Sequence, residues 1–241
     1  MEFGFTKEQE KFRKEIQEFF INELPSDNRM DHRHDLFLTE RQLAFSWQLQ
    51  QKAGEKGYLA PGWSKESGGL GLGNIEHGIT TEEAGYWNVT WPSQQGLRVC
   101  GPPLHLFGSE EQKKKFLPAI AKGKQVWYQA FTEPEAGSDE ANVQLRAVRN
   151  GDEFILNGQK TFITAQCPAD YLYTLVKTED TIPKHRGLSL FLIPAHAPGI
   201  TYRPLLSMTT FTVEIFFDDV RISKDALTST LNHLNYFSKP F

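Results

Sequence analysis

A segment dense in turn-forming and hydrogen-bonding residues, Gln129-Ala130-Phe131-Thr132-Glu133-Pro134-Glu135-Ala136-Gly137-Ser138-Asp139, begins as a strand and passes into a loop. Such a loop can present backbone N–H groups and the hydroxyls of Thr132 and Ser138 to a ligand rich in acceptors. It can equally be an ordinary turn, and spacing does not separate the two. Other candidate chemistries fail on spacing. The run Gly68-Gly69-Leu70-Gly71-Leu72-Gly73 lacks the strand-turn-helix setting and third glycine of a dinucleotide fingerprint and reads as a loop. Gly123-Lys124 is followed by Gln125 rather than the Ser or Thr of a phosphate-binding loop, and no Gly-x-Ser-x-Gly elbow occurs. His32 and His34 have no nearby third ligand, so no metal is expected and a solvated loop is the better reading. Lys113, Lys114 and Lys115 read as the wet face of a capped helix, and Trp63, Trp87 and Trp91 as core aromatics.

The elements that must position this loop divide the chain in two. Thr6 and Gln9 have capping-box spacing ahead of Phe12, Ile16, Phe19 and Phe20, which recur at helical intervals. Thr39 and Gln42 repeat the signal before Leu43 and Trp47, and Ser109 and Gln112 repeat it before Phe116, Leu117 and Ile120. With a further helix over Asn74–Tyr86, four or five helices fit. After Gln125, β-branched and aromatic residues alternate with polar ones. Asn150-Gly151 and Asn157-Gly158 suit the positive φ angles of tight turns and predict two successive hairpins. Further strands are expected at Tyr171 to Lys177, Leu188 to Ile193, Ile200 to Pro204 and Val213 to Val220. The fold class is therefore α+β and multidomain: a helical domain over residues 1–124, an antiparallel β-barrel or sandwich over 125–224, and a short tail over 225–241.

Composition limits the partners. The 241 residues carry 26 basic and 30 acidic side chains, with 39% in the hydrophobic class, enough to bury a core without a basic surface for nucleic acid. The most continuous apolar run, Leu188 to Ala195, is far short of the roughly 20 residues of a membrane span. The charged opening, from Glu2 to Glu15, does not read as a signal or transit peptide. Two isolated cysteines fit a reducing compartment, so a cytoplasmic location is expected.

The chain resembles the acyl-CoA dehydrogenase family of flavoproteins. The resemblance rests on features in one order: Leu59-Ala60-Pro61-Gly62-Trp63 with Gly68-Gly69, the segment from Thr132 to Asp139, Asn157-Gly158-Gln159-Lys160-Thr161-Phe162-Ile163-Thr164, and Phe216-Phe217-Asp218-Asp219-Val220-Arg221. It implies a helical domain, a central β domain and a third domain of long helices, with FAD held between the second and third. It implies that Gln129, Ala130, Phe131, Thr132, Gly137 and Ser138 run along the flavin, with Thr132 hydrogen-bonding the ring and Ser138 also close to acyl-CoA. Phe162, Ile163 and Thr164 would form the second wall, with Phe162 where the family often has Trp. The implied reaction is α,β-dehydrogenation of an acyl-CoA thioester: a carboxylate removes the α-proton while hydride leaves the β-carbon for the flavin. An electron-transfer flavoprotein is the implied acceptor, and a homo- or hetero-oligomer the implied assembly.

Beyond Val220 only about 20 residues remain, too few for several helices of ordinary length. The family's third domain supplies its glutamate base, so no catalytic residue is assigned; Glu133, Glu135 and Asp139 lie beside the loop but not at the family's base position. Glu135 stands where glycine is frequent in the family, and Thr209 and Thr210 stand where glycines are common. The expectation is a dehydrogenase that needs a partner chain for its base. The alternatives are a truncated, non-catalytic subunit that binds flavin or acyl-CoA, and a flavin-dependent monooxygenase on the same scaffold.

Overall fold

The computed structural model describes residues 4–25, 39–89, 91–165, 167–180, 183–206 and 211–230. His32 and His34, Thr209 and Thr210, and the tail from Leu231 lie outside them.

The three capping boxes form as their spacing predicts. Thr6, Thr39 and Ser109 each accept a hydrogen bond from the backbone of the third helical residue, whose Gln side chain bonds back to the cap. They start α1 (Lys7–Glu23), α2 (Glu40–Glu55) and α5 (Glu110–Ala121). α3 (Asn74–Tyr86) has no side chain at its cap, Gly73, but the Glu76 carboxylate accepts from the Gly73 N–H at 2.9 Å. In α1 the stripe of Phe12, Ile16, Phe19 and Phe20 is buried, where Tyr58 stands edge-on to Phe12 and Phe19. One stretch had no sequence counterpart: a π-helical turn over Gly96–Cys100 leads directly into the short α4 (Gly101–Phe107). The Gly68–Gly73 run is loop, as expected.

The second half is a sheet of β1 (Trp127–Ala130), β2 (Arg146–Asn150), β3 (Glu153–Thr164), β4 (Tyr171–Lys177), β5 (Leu188–Pro194), β6 (Ile200–Leu206), β7 (Phe211–Ser223) and β8 (Leu227–Thr230). Their order is β6-β7-β3-β2-β4-β5-β8, with β1 added on β4. Most neighbours are antiparallel, but β1 and β2 both pair with β4 in parallel. Among the described residues the sheet is not closed into a barrel. Its interior strands carry the signature of burial on both faces: Leu172 to Val176 of β4 and Leu188 to Ile193 of β5 are buried without a break.

The two Asn-Gly pairs have different fates. β2 and β3 form the first hairpin, but Asn150 is still in the ladder opposite Glu153, so the turn is centred on Gly151-Asp152, with Gly151 at φ 64°. A positive φ at the first central residue but not at Asp152 is the II′ pattern rather than the I′ turn that Asn-Gly favours. The second hairpin is not formed. β3 runs straight through Asn157-Gly158, where its register with β7 slips between Leu156 and Gly158. Gly158 sits at φ 142°, and a Cβ there would fall 2.9 Å from Leu145 Cα. The opposite edge is held by a reciprocal pair: Asn157 Nδ2 donates to Asp219 Oδ1 at 3.0 Å, and the Asp219 N–H donates to Asn157 Oδ1 at 2.9 Å. Asn-Gly stays in the strand here, facing a bulge whose extra residue lies on β7, where Asp219 has φ 47°.

Candidate functional site

The loop after β1 is a closed turn. Glu133 N donates to Ala136 O at 2.8 Å, and Ala136 N returns to Glu133 O at 3.2 Å. Its anchor lies beneath it. The Glu133 carboxylate accepts from Gln144 N at 2.6 Å, Leu145 N at 2.9 Å and Lys160 Nζ at 2.8 Å, while the same ammonium donates to Phe131 O at 2.9 Å. The side chains of Lys160 and Glu133 are 0% and 2% exposed. Burial lowers the Lys160 pKa to about 8, against the opposing pull of the Glu133 carboxylate. An ion pair so enclosed, with three further bonds to backbone groups, holds geometry. Glu133 is therefore occupied as an anchor.

The loop meets β3 edge to edge. The Thr161 N–H donates to Thr132 O at 2.9 Å. Immediately after this bond β3 slips register again, between Lys160 and Ile163. Phe162 occupies the slip at φ 55° with 68% of its surface exposed. A bulky aromatic residue with positive φ is a genuine outlier, and such strain persists only where the surroundings over-determine it. Ile163 turns the other way and is buried, so its main chain is what it offers to a ligand. Thr164 is exposed.

A cavity of about 630 Å³ opens beside the loop, between the helical half and the sheet. Val99, Pro103 and Phe107 form one wall, Tyr173, Leu175, Leu188 and Leu190 another, and Phe131, Ser138, Asp139, Glu140, Ala141 and His185 complete it. The Phe131 and Tyr173 rings lie 5.6 Å apart. The character is that of an apolar slot with polar groups at one side, suited to a long, mostly apolar ligand.

Of the residues singled out from sequence, Phe131 and Ser138 line the cavity, whereas Thr132 meets β3 next to Phe162. Ala130 is buried in β1, and Gly137 is exposed with open space around it. Glu135 is exposed, and Asp139 and Glu140 line the cavity as exposed carboxylates. Among the described residues no cluster of His, Cys, Asp and Glu could hold a metal, and no helix is long and apolar enough to cross a membrane. Sequence reading missed Lys160, Gln95 and the Phe162 bulge. The one local signal was a lysine within a run of otherwise β-compatible residues. An exposed aromatic face held on a strained bulge, beside a loop of fixed main-chain groups, fits a planar ring system such as a flavin.

Two solved assemblies share the fold: the ChsE4-ChsE5 complex from Mycobacterium tuberculosis and the Tcur3481-Tcur3483 steroid ACAD each match with a TM-score of 0.83 and 30% identity, over 97% of this chain and 59% and 60% of theirs. The family models of the acyl-CoA dehydrogenase N-terminal domain and middle domain match residues 6–124 and 129–220. Acyl-CoA dehydrogenase FadE29 of Mycobacterium tuberculosis is 37% identical over 234 residues, covering 96% of this chain and 59% of the relative. The chain belongs to the acyl-CoA dehydrogenase family, and it spans under two thirds of the length of the curated relatives it matches.

Proposed function

We propose that this chain provides the flavin seat and one side of the acyl cleft of an FAD-dependent acyl-CoA dehydrogenase, with the catalytic carboxylate contributed from outside its described residues. The observation that carries this reading is Phe162, whose ring is exposed on a strained bulge one residue from the Thr161–Thr132 bond, while Phe131 lines the cavity. Thr132, Gly137 and Ser138 on one side, and Phe162, Ile163 and Thr164 on the other, would hold the flavin, which when bound accepts a hydride from the β-carbon. The chain's own residues do the positioning. The Lys160–Glu133 pair fixes the loop, so that its main-chain groups need little reorganisation when charge develops on a bound ring. Val99, Pro103, Phe107, Tyr173 and Leu190 take the acyl chain out of water, with Ser138 at the thioester side.

Glu133 is committed to Lys160, and Asp139 and Glu140 stand exposed, which supports a base from a partner. The names of the two similar assemblies each join two designations, which supports a heteromeric arrangement for this chain as well. An electron-transfer flavoprotein is the proposed acceptor.

The test is an anaerobic titration with the chain alone and with a co-expressed partner, using one straight-chain and one steroid acyl-CoA. Bleaching of flavin absorbance only when the partner is present is the expected result. Flavin uptake without bleaching in either preparation would favour a binding subunit, and oxygen-dependent hydroxylation would favour a monooxygenase.

A further inference from the structure

Gln95 lies in the helical half, one residue before the π-helical turn, yet its side chain reaches both edges of the proposed flavin seat. Its Oε1 accepts from the Gln129 N–H of β1 at 2.7 Å, and its Nε2 donates to Thr164 O of β3 at 3.1 Å. A primary amide of this length supplies an acceptor and a donor on the same rigid plane. It can reach because the next residue is Gly96: a Cβ there would meet Trp127 Cδ1 and Ile120 Cγ2 at 3.3 Å each. The helical segment thus comes down close against β1.

We infer that Gln95 is a positioning residue that sets the spacing between the two walls of the flavin seat. This rests on the flavin reading above. β3 is tied to the β1 loop on the near side of its bulge by Thr161 N to Thr132 O, and by Lys160 Nζ to Phe131 O. On the far side the tie is Gln95, through Thr164. Phe162 stands between these two anchors, at a φ that needs both sides held. β7 grips the other edge of β3, pairing Ile163 with Val213 and Thr164 with Thr212, but leaves the edge facing β1 to Gln95. Val99, four residues beyond Gln95, lines the acyl cavity, so the π-helical turn joins the cavity wall to the seat.

The test compares the full chain with Gln95→Met, which keeps length and loses both bonds, and Gln95→Glu, which keeps the acceptor and sets an oxygen against the Thr164 carbonyl. Two readouts are used: hydrogen exchange at the Gln129 amide without flavin, and FAD binding with its absorption spectrum and reduction potential, with the partner present. In Gln95→Met the amide should exchange at least about tenfold faster, and the FAD dissociation constant should rise about tenfold with a shifted spectrum. Gln95→Glu should keep the amide protected while losing flavin affinity, because the β3 tie alone is broken. Wild-type affinity, spectrum and potential in either variant, or unchanged amide protection in Gln95→Met, would overturn the inference. A wild-type chain that takes up no flavin even with its partner would instead overturn the flavin reading, and this inference with it.

Discussion

The Lys160–Glu133 pair and Phe162 carry opposite costs. Lys160 and Glu133 form an enclosed ion pair whose removal by halves leaves a charge without a counterpart. Glu133→Ala should lower stability by about 3–5 kcal/mol, read from urea unfolding, whereas the paired replacement of Glu133 by Leu and Lys160 by Met should recover much of that loss. Equal destabilisation by the single and paired replacements would contradict the anchoring role. Phe162 is the reverse case, because its positive φ and exposed ring cost stability without a contact that explains them. Asn tolerates the left-handed region better than Phe. Phe162→Asn should therefore raise the stability of the flavin-free chain by up to about 1 kcal/mol while weakening FAD binding, measured by fluorescence quenching. A stability loss with unchanged flavin affinity would show that the ring serves the fold.

At the level of strands and helices, the legible features were local ones. A capping box is satisfied within four residues, so Thr6, Thr39 and Ser109 announce their helices whatever surrounds them. The strands expected at Tyr171 to Lys177, Leu188 to Ile193 and Ile200 to Pro204 formed there or slightly longer, because their apolar and β-branched residues suit a buried sheet. Asn157-Gly158 misled because a dipeptide that permits positive φ serves a turn or a strand opposite a bulge equally well, and the choice rests with β7, more than fifty residues on, which carries the extra residue. The bulge makes a specific demand: Gly158→Ala puts a Cβ 2.9 Å from the Leu145 backbone. It should destabilise by about 1–3 kcal/mol in thermal or denaturant unfolding, and a neutral outcome would mean that the β2–β3 connection shifts freely.

Across the whole molecule, burial places a pH limit on the helical half. His77 and His105 are both held below the usual histidine value, chiefly by burial and secondarily by the charges of Arg98 and Lys113 respectively. The unfolded chain therefore takes up protons before the folded one as pH falls through 6.5, and stability drops from that point downward. Denaturant midpoints should decline below that pH, and His105→Gln should shallow the decline; a flat profile in the wild type would count against half-buried imidazoles held below their usual value. The division into a helical half and a sheet half was visible in the change of periodicity, and the family in motifs that need no alignment to be seen.

Sequence alone determined the caps, most strands, the family and the loop from Gln129 to Ser138, because each is encoded by residues that are neighbours along the chain. Tertiary structure decided that Glu133 is an anchor, that Phe162 is strained and exposed, and that Gln95 spans two strands. Those properties depend on groups between 11 and 69 positions apart, and no local preference of a carboxylate, a ring or an amide specifies which distant partner will complete it.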